Sequence, residues 1–182
     1  MKNFLKQPLK LLSLLIAISC CTLAMGQSTT KEKRLVRDAD EAKEDFIHTD
    51  ALMSNLFSNA YGYAIFPNVG KGGIGIGGAA GKGIVYEKGN VIGKAQLTQV
   101  SIGFQFGGQA YREVIFFESA ADLDRFRENK IEFSAQASAV AATVGASANV
   151  KYRDGVMIFT QQKGGLMYEA SVGGQKFNFT GF

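Results

Sequence analysis

At Tyr61 the spacing of apolar residues changes from three or four to two, and that change dictates helix first and sheet after. Upstream, Leu35, Ala39, Ala42, Phe46, Met53, Leu56 and Ala60 recur three or four apart, while KEKR, RDADEAKED and HTD fill the positions between them. This pattern predicts an amphipathic helical segment over 31–60 that lays one stripe on a sheet. A break is expected near Thr49, with Asp50 capping a second helix whose body is Ala51 to Asn59. Downstream, AIF, GIGIGG, GIVYE, VIGKAQL, QVSIGFQFG and YREVIFFES alternate or run apolar between Lys-Gly, Gly-Asn and Gly-Gly turn signals. Such short connections favour antiparallel pairing, since a parallel crossover needs many more residues.

Ser119 and Asp122 fit a capping box that opens one internal helix running through Asn129. The tract IEFSAQASAVAATVGASANV that follows reads as helix by propensity or as closely packed strand by its small-residue alternation, with strand preferred. The end of the chain reads as three strands joined at Lys163-Gly164-Gly165 and Gly173-Gly174. The fold class expected is α+β. An antiparallel, strongly curved sheet or partial barrel over 61–182 carries an N-terminal helical segment and the internal helix.

The first 26 residues are set apart from this domain. Lys2, Lys6 and Lys10 precede an apolar run, LLSLLIAISCCTLA, and the small residues of Ala24-Met25-Gly26. This is the order of a secretory signal peptide, so the mature chain is expected to start at Gln27 as a single domain, 27–182, exported to a periplasmic or secreted location. Cys20 and Cys21 both lie in the leader, which leaves the mature chain without disulfide, thiol chemistry or thiolate-bound metal. The competing reading makes Cys20 a lipidated first residue, which would anchor the protein. Losing the three leader lysines lowers the 20 basic residues to 17 against 16 acidic ones. A general attraction to nucleic acid is thereby excluded, and attraction to anionic lipid must come from local clusters.

The stretch PNVGKGGIGIGGAAGKG, residues 67–83, contains a match to G-x-G-x-x-G at Gly73 to Gly78. In a dinucleotide site those glycines turn from a strand into a helix whose amides hold the pyrophosphate. Here Ile84-Val85-Tyr86 is strand-like, and no acid stands at the ribose position. A Walker loop fails as well, because Ile76 and Gly83 stand where Gly and Ser or Thr are needed. Read as a strand, the run puts Ile74 and Ile76 on one face and Gly73, Gly75 and Gly77 on the other. The bare face admits another backbone, a ring or a lipid tail. Gly103 and Gly107 repeat the device beside Ile102, Phe104 and Phe106.

Catalytic signals are lacking: His48 is a lone histidine in a charged helical segment, no G-x-S-x-G turn occurs, and no His and carboxylate cluster offers a metal site. No catalytic residue, metal or cofactor is therefore expected.

Several runs taken in order resemble one family. They are Ala60 to Pro67, Gly70 to Val85, Gly103 to Gln109, Glu113 to Phe117, Ser119 to Phe126 and Lys163 to Gly174. Over about residues 35–182 the chain is similar to the SYLF domain, also called the Ysc-type actin-binding or Las-binding domain. The resemblance implies a non-enzymatic lipid-binding module; eukaryotic members bind phosphoinositides and fungal members actin filaments. The leader and the lack of an SH3 domain depart from the eukaryotic pattern. On this basis the expected partner is an anionic phospholipid membrane surface, with a protein partner in the cell envelope as the alternative. The candidate head-group residues are Lys71, Lys82, Lys88 and Lys94, in or beside the glycine-rich turns.

Overall fold

The computed structural model describes residues 30–74, 76–102, 109–131, 138–163, 170–171 and 174–182. The leader with Cys20, the expected start at Gln27, and Gly75, Gly103 and Gly107 lie outside the described residues. The chain divides into two compact units, Met1–Val36 and Arg37–Phe182. Residues 30–36 of the first unit are helical.

Helix α1 covers 30–49 and stops at Asp50, where the sequence places the break. The Asp50 carboxylate accepts from Leu52 N–H at 3.1 Å, and after this turn α2 runs Met53–Asn59. Among the described residues eight strands follow: β1 Gly62–Ile74, β2 Ile76–Glu87, β3 Asn90–Ile102, β4 Gln109–Phe117, β5 Ser138–Ala141, β6 Val156–Gln162, β7 Ala170–Ser171 and β8 Gln175–Gly181. Helix α3, Ala120–Arg127, separates β4 from β5. Seven strands stand in the order β5-β6-β4-β1-β2-β3-β8, and the two-residue β7 adds to β5. All pair antiparallel except β5 with β6.

The architecture is thus the expected α+β, with differences in the C-terminal half. Of the Ala- and Ser-rich tract only Ser138–Ala141 is strand; Ala146–Asn149 is a short 3-10 helix, and 132–137 lie outside the described residues. The last three strands do not form a meander, because β6 sits between β5 and β4 while β8 pairs with β3.

The sheet curls strongly towards one face. Glu113 on β4 and Gln175 on β8 are four strand spacings apart, about 19 Å in a flat sheet, yet Gln175 Nε2 donates to Glu113 Oε2 at 2.9 Å. The rings of Phe66 on β1 and Phe177 on β8 lie 5.8 Å apart across the same concavity. Among the described residues no pairing joins β8 to the β5 and β7 end, so the sheet stays open. Phe126 of α3 packs on Phe117 and Phe177 at 5.0 Å each, filling the concavity. α3 begins where the capping box predicts: Ser119 N–H donates to Asp122 Oδ2 at 3.1 Å, and Asp122 N–H to Ser119 Oγ at 3.4 Å. It ends at Arg127, before Asn129, whose carboxamide oxygen accepts from Phe179 N–H at 3.0 Å on the outer edge of β8.

Part of the convex face carries the helices. Ala39, Ala42 and Phe46 of α1 and Met53 and Phe57 of α2 are buried there with Tyr63, Tyr86, Phe116 and Phe159. Phe57 meets Tyr63 and Phe116 edge-on at 5.1 and 4.9 Å. Tyr86 hydroxyl donates to Asp40 Oδ1 at 2.9 Å, and Arg112 Nη2 pairs with Asp45 Oδ2 at 2.5 Å, so the polar side of α1 is tied down as well.

Pro67 sets the phase of the central strand. Proline has no N–H for the ladder, and an interior strand accommodates it only at a bulge. The register of β1 shifts against both neighbours between residues 65 and 69. Before the bulge Ala64 and Phe66 face the concavity; after it Val69 and Lys71 do, by their pairing with Tyr111 and Gln109.

Candidate functional site

The glycine-rich run is a hairpin rather than one strand. Ile74 pairs with Ile76, Gly73 with Gly77 and Gly72 with Gly78. Towards the base of the hairpin the glycines serve close packing. A Cβ on Gly83 would stand 2.7 Å from the Phe66 ring, and one on Gly93 would stand 2.7 Å from the Phe179 ring. On the convex side Gly70 and Gly72 have nothing within 4 Å of a Cβ.

This open region belongs to a continuous exposed surface. Its convex positions are Asn68 and Gly70 on β1, Ala80 and Lys82 on β2, Gln96, Thr98 and Val100 on β3, and Lys176 and Asn178 on β8, all exposed. Val100 is 70% exposed, far outside the ordinary range for a strand valine. Lys82 pairs with Gln96, and Lys94 sits two residues along β3 on the same face, a diagonal of about 7–8 Å. Lys176 pairs with Thr98 on the next strand over. No strand residue on this half of the convex face is an acid. At its margin Lys163 donates to Asn68 Oδ1. Burial and then Arg112 lower the Lys163 pKa, against the opposing pull of Asp38, Asp45 and Glu41.

The four lysines singled out by sequence do not form one group. Lys82 and Lys94 share the convex face. Lys71 pairs with Ala79 and Gln109 and faces the concavity, because the Pro67 bulge has shifted β1 by one residue. Lys88 lies in the β2–β3 turn with a positive φ of 48°, its Nζ 5.1 Å above the Tyr61 ring. Six residues of strand, about 20 Å, separate it from Lys82. Lys176 was not singled out. The alternation of Gln175-Lys176-Phe177-Asn178-Phe179 gives its face, but only the long-range β3–β8 pairing places it on the same surface as Lys94, about 13 Å along the strand.

The concave face carries a second arrangement that the sequence reading missed. Glu113, Gln175 and Thr160 are 0% exposed and Tyr111 is 2% exposed. Burial pushes the Glu113 pKa up to about 7, and the bond from Gln175 pulls the other way. The Tyr111 hydroxyl is raised by burial and then by the neighbouring Glu113 charge. Among the described residues no group of three metal-ligating side chains occurs. His48 is exposed, in keeping with a solvated residue. No described helix is long and apolar enough to cross a membrane.

The family model for Ysc84, a Las17-binding protein actin regulator, matches residues 98–180, from late β3 to β8. The chain is also 28% identical over 158 residues to beta cell expansion factor A of Aeromonas veronii. That alignment takes in 84% of this chain and 59% of the relative, so the chain spans well under two thirds of the relative's length. Both matches bear out the resemblance carried by the motifs.

Proposed function

We propose that the protein, whose residues 98–180 match the Ysc84 family model, is a non-enzymatic module that docks on anionic phospholipid through the uncovered half of its convex face. One observation carries this reading: Lys82, Lys94 and Lys176 stand on adjacent strands of a small-residue surface to which those strands contribute no carboxylate. Ammonium groups on that surface would lie near head-group phosphates. Gly70 and Gly72 leave the backbone bare, and Val100 offers an apolar contact at the acyl boundary. Each lysine near an anionic surface contributes roughly 1 kcal/mol, screened within a Debye length.

The reading places the protein outside the cytoplasm, peripheral to a membrane after removal of the leader, and N-terminal sequencing of the purified protein tests this. A start at Gln27 supports it, and a lipidated Cys20 replaces peripheral docking with an anchor. Co-sedimentation with vesicles of graded anionic content tests the docking. Binding is expected to rise with anionic fraction and to fall with salt; equal binding to neutral vesicles removes the electrostatic basis. The alternative, a protein partner, is favoured by the family's description as an actin regulator. It predicts co-pelleting with filaments and no lipid preference.

A further inference from the structure

We propose that the polar layer of the concave face around Glu113 is a binding site for a primary ammonium group. Glu113 is wholly buried, and its carboxylate accepts from Gln175 Nε2 at Oε2, 2.9 Å away. That bond fixes the Gln175 amide, since the flipped amide would set oxygen against carboxylate. Gln175 Oε1 is therefore an acceptor without a donor. Glu113 Oε1 and Gln162 Oε1 are also buried without a hydrogen-bond partner. Gln162 pairs with Tyr111 on β4, two residues from Glu113, and so faces the same concavity.

The shortfall is all of one kind. Glu113, Gln162 and Gln175 supply three of the four buried side-chain oxygens that lack donors, and Glu113 is an acid with no ion pair among the described residues. Glu113 faces Thr160 of β6, Phe66 of β1 and Gln175 of β8. Lys71, the cationic strand residue on this face, lies opposite Gln109, about 13 Å along β4 from Glu113. Buried polar atoms are rarely left unpaired in folded proteins, so the layer calls for a guest that brings donors and positive charge. A primary ammonium has three donors, one positive charge and no acceptor, which suits a carboxylate flanked by amide oxygens. A hard metal ion takes six or more oxygens, and a quaternary ammonium has no donor at all.

Calorimetric titration of the purified chain with methylammonium chloride, at constant ionic strength, tests the site against potassium chloride and tetramethylammonium chloride. Methylammonium is expected to bind and to raise the melting temperature, and the other two salts to do neither. Glu113→Gln, which keeps the shape and removes the charge, is expected to weaken binding by at least about tenfold, the scale of a lost charge-assisted hydrogen bond. Gln162→Met leaves the Glu113 to Gln175 bond intact and is expected to weaken binding less, which keeps the test open if the first variant folds poorly. Equal effects of methylammonium and potassium, or undiminished binding by folded Glu113→Gln, would overturn the proposal in favour of water or a proton filling the layer. Two sources share this chemistry. A preference for phosphatidylethanolamine vesicles that Glu113→Gln abolishes assigns the group to a lipid head; binding of free ethanolamine without that preference assigns it to a soluble amine.

Discussion

Glu113 sits out of water with one donor on its carboxylate, and its pKa of about 7 against 4.5 for the ordinary side chain links the fold to pH. The folded state holds the proton more tightly than the unfolded chain. Stability from this group is therefore complete below about pH 4.5 and is lost as pH rises through about 7. The span corresponds to roughly 3 kcal/mol at most. Urea unfolding of wild type and Glu113→Gln in an amine-free buffer, between pH 5 and 8, checks this: wild type should weaken with pH and the variant should change less. Glycines divide by what lies over them. Gly155 has φ +76° and its Cβ would meet Asp122 Oδ1 at 2.0 Å, so Gly155→Ala should cost about 2 kcal/mol or more and loosen the α3 cap. Gly70→Ala, with open space above it, should leave the melting temperature unchanged or slightly raised. The sequence marks both as glycines, but only the packing of α3 over Gly155 separates them.

At the scale of elements, the 142–150 stretch is fastened to the helical layer by one buried carboxylate. Asp50 Oδ2 accepts from Ser147 N–H at 2.8 Å and from Ser147 Oγ at 2.7 Å. Burial pushes the Asp50 pKa up, yet the bonds from Ser147, Leu52 and Gly145 outweigh it and hold the carboxyl below its ordinary value. Asp50→Ala strands those donors and should destabilise by about 1–3 kcal/mol, with faster amide exchange at Ser147 as the local signature. The helices, the capping box at Ser119 and the β2–β3 hairpin were legible because each is decided by neighbours in sequence, whereas the glycine-rich run was read as one strand and is a hairpin. Lys71 and Lys82 face opposite ways by plain alternation in one unbroken hairpin register, with Asn68 opposite Lys82 and Lys71 opposite Ala79, whereas the Pro67 bulge reverses the first part of β1 relative to the rest. Proline inside an apolar strand was the available signal for that bulge. The β3–β8 pairing had no such signal, since it joins segments about eighty residues apart.

For the whole molecule, curvature produces two surfaces of different character. The concave face gathers Phe66, Phe117, Phe126 and Phe177 into a core, with a polar layer above it. The convex face is shared between a helix-covered part and a bare basic part. Composition showed only that any attraction to anions must be local, and the sheet order supplies the locality by placing Lys82, Lys94 and Lys176 on three neighbouring strands of one face. The most direct test compares two variants in co-sedimentation with anionic vesicles at low salt. One is the triple variant Lys82→Gln, Lys94→Gln, Lys176→Gln; the other is the double variant Lys71→Gln, Lys88→Gln. The triple variant should bind at least about tenfold more weakly, with a flatter salt dependence, and the double variant should stay within about twofold of wild type. Equal weakening by both variants, or undiminished binding by the triple variant, would contradict docking through the convex face.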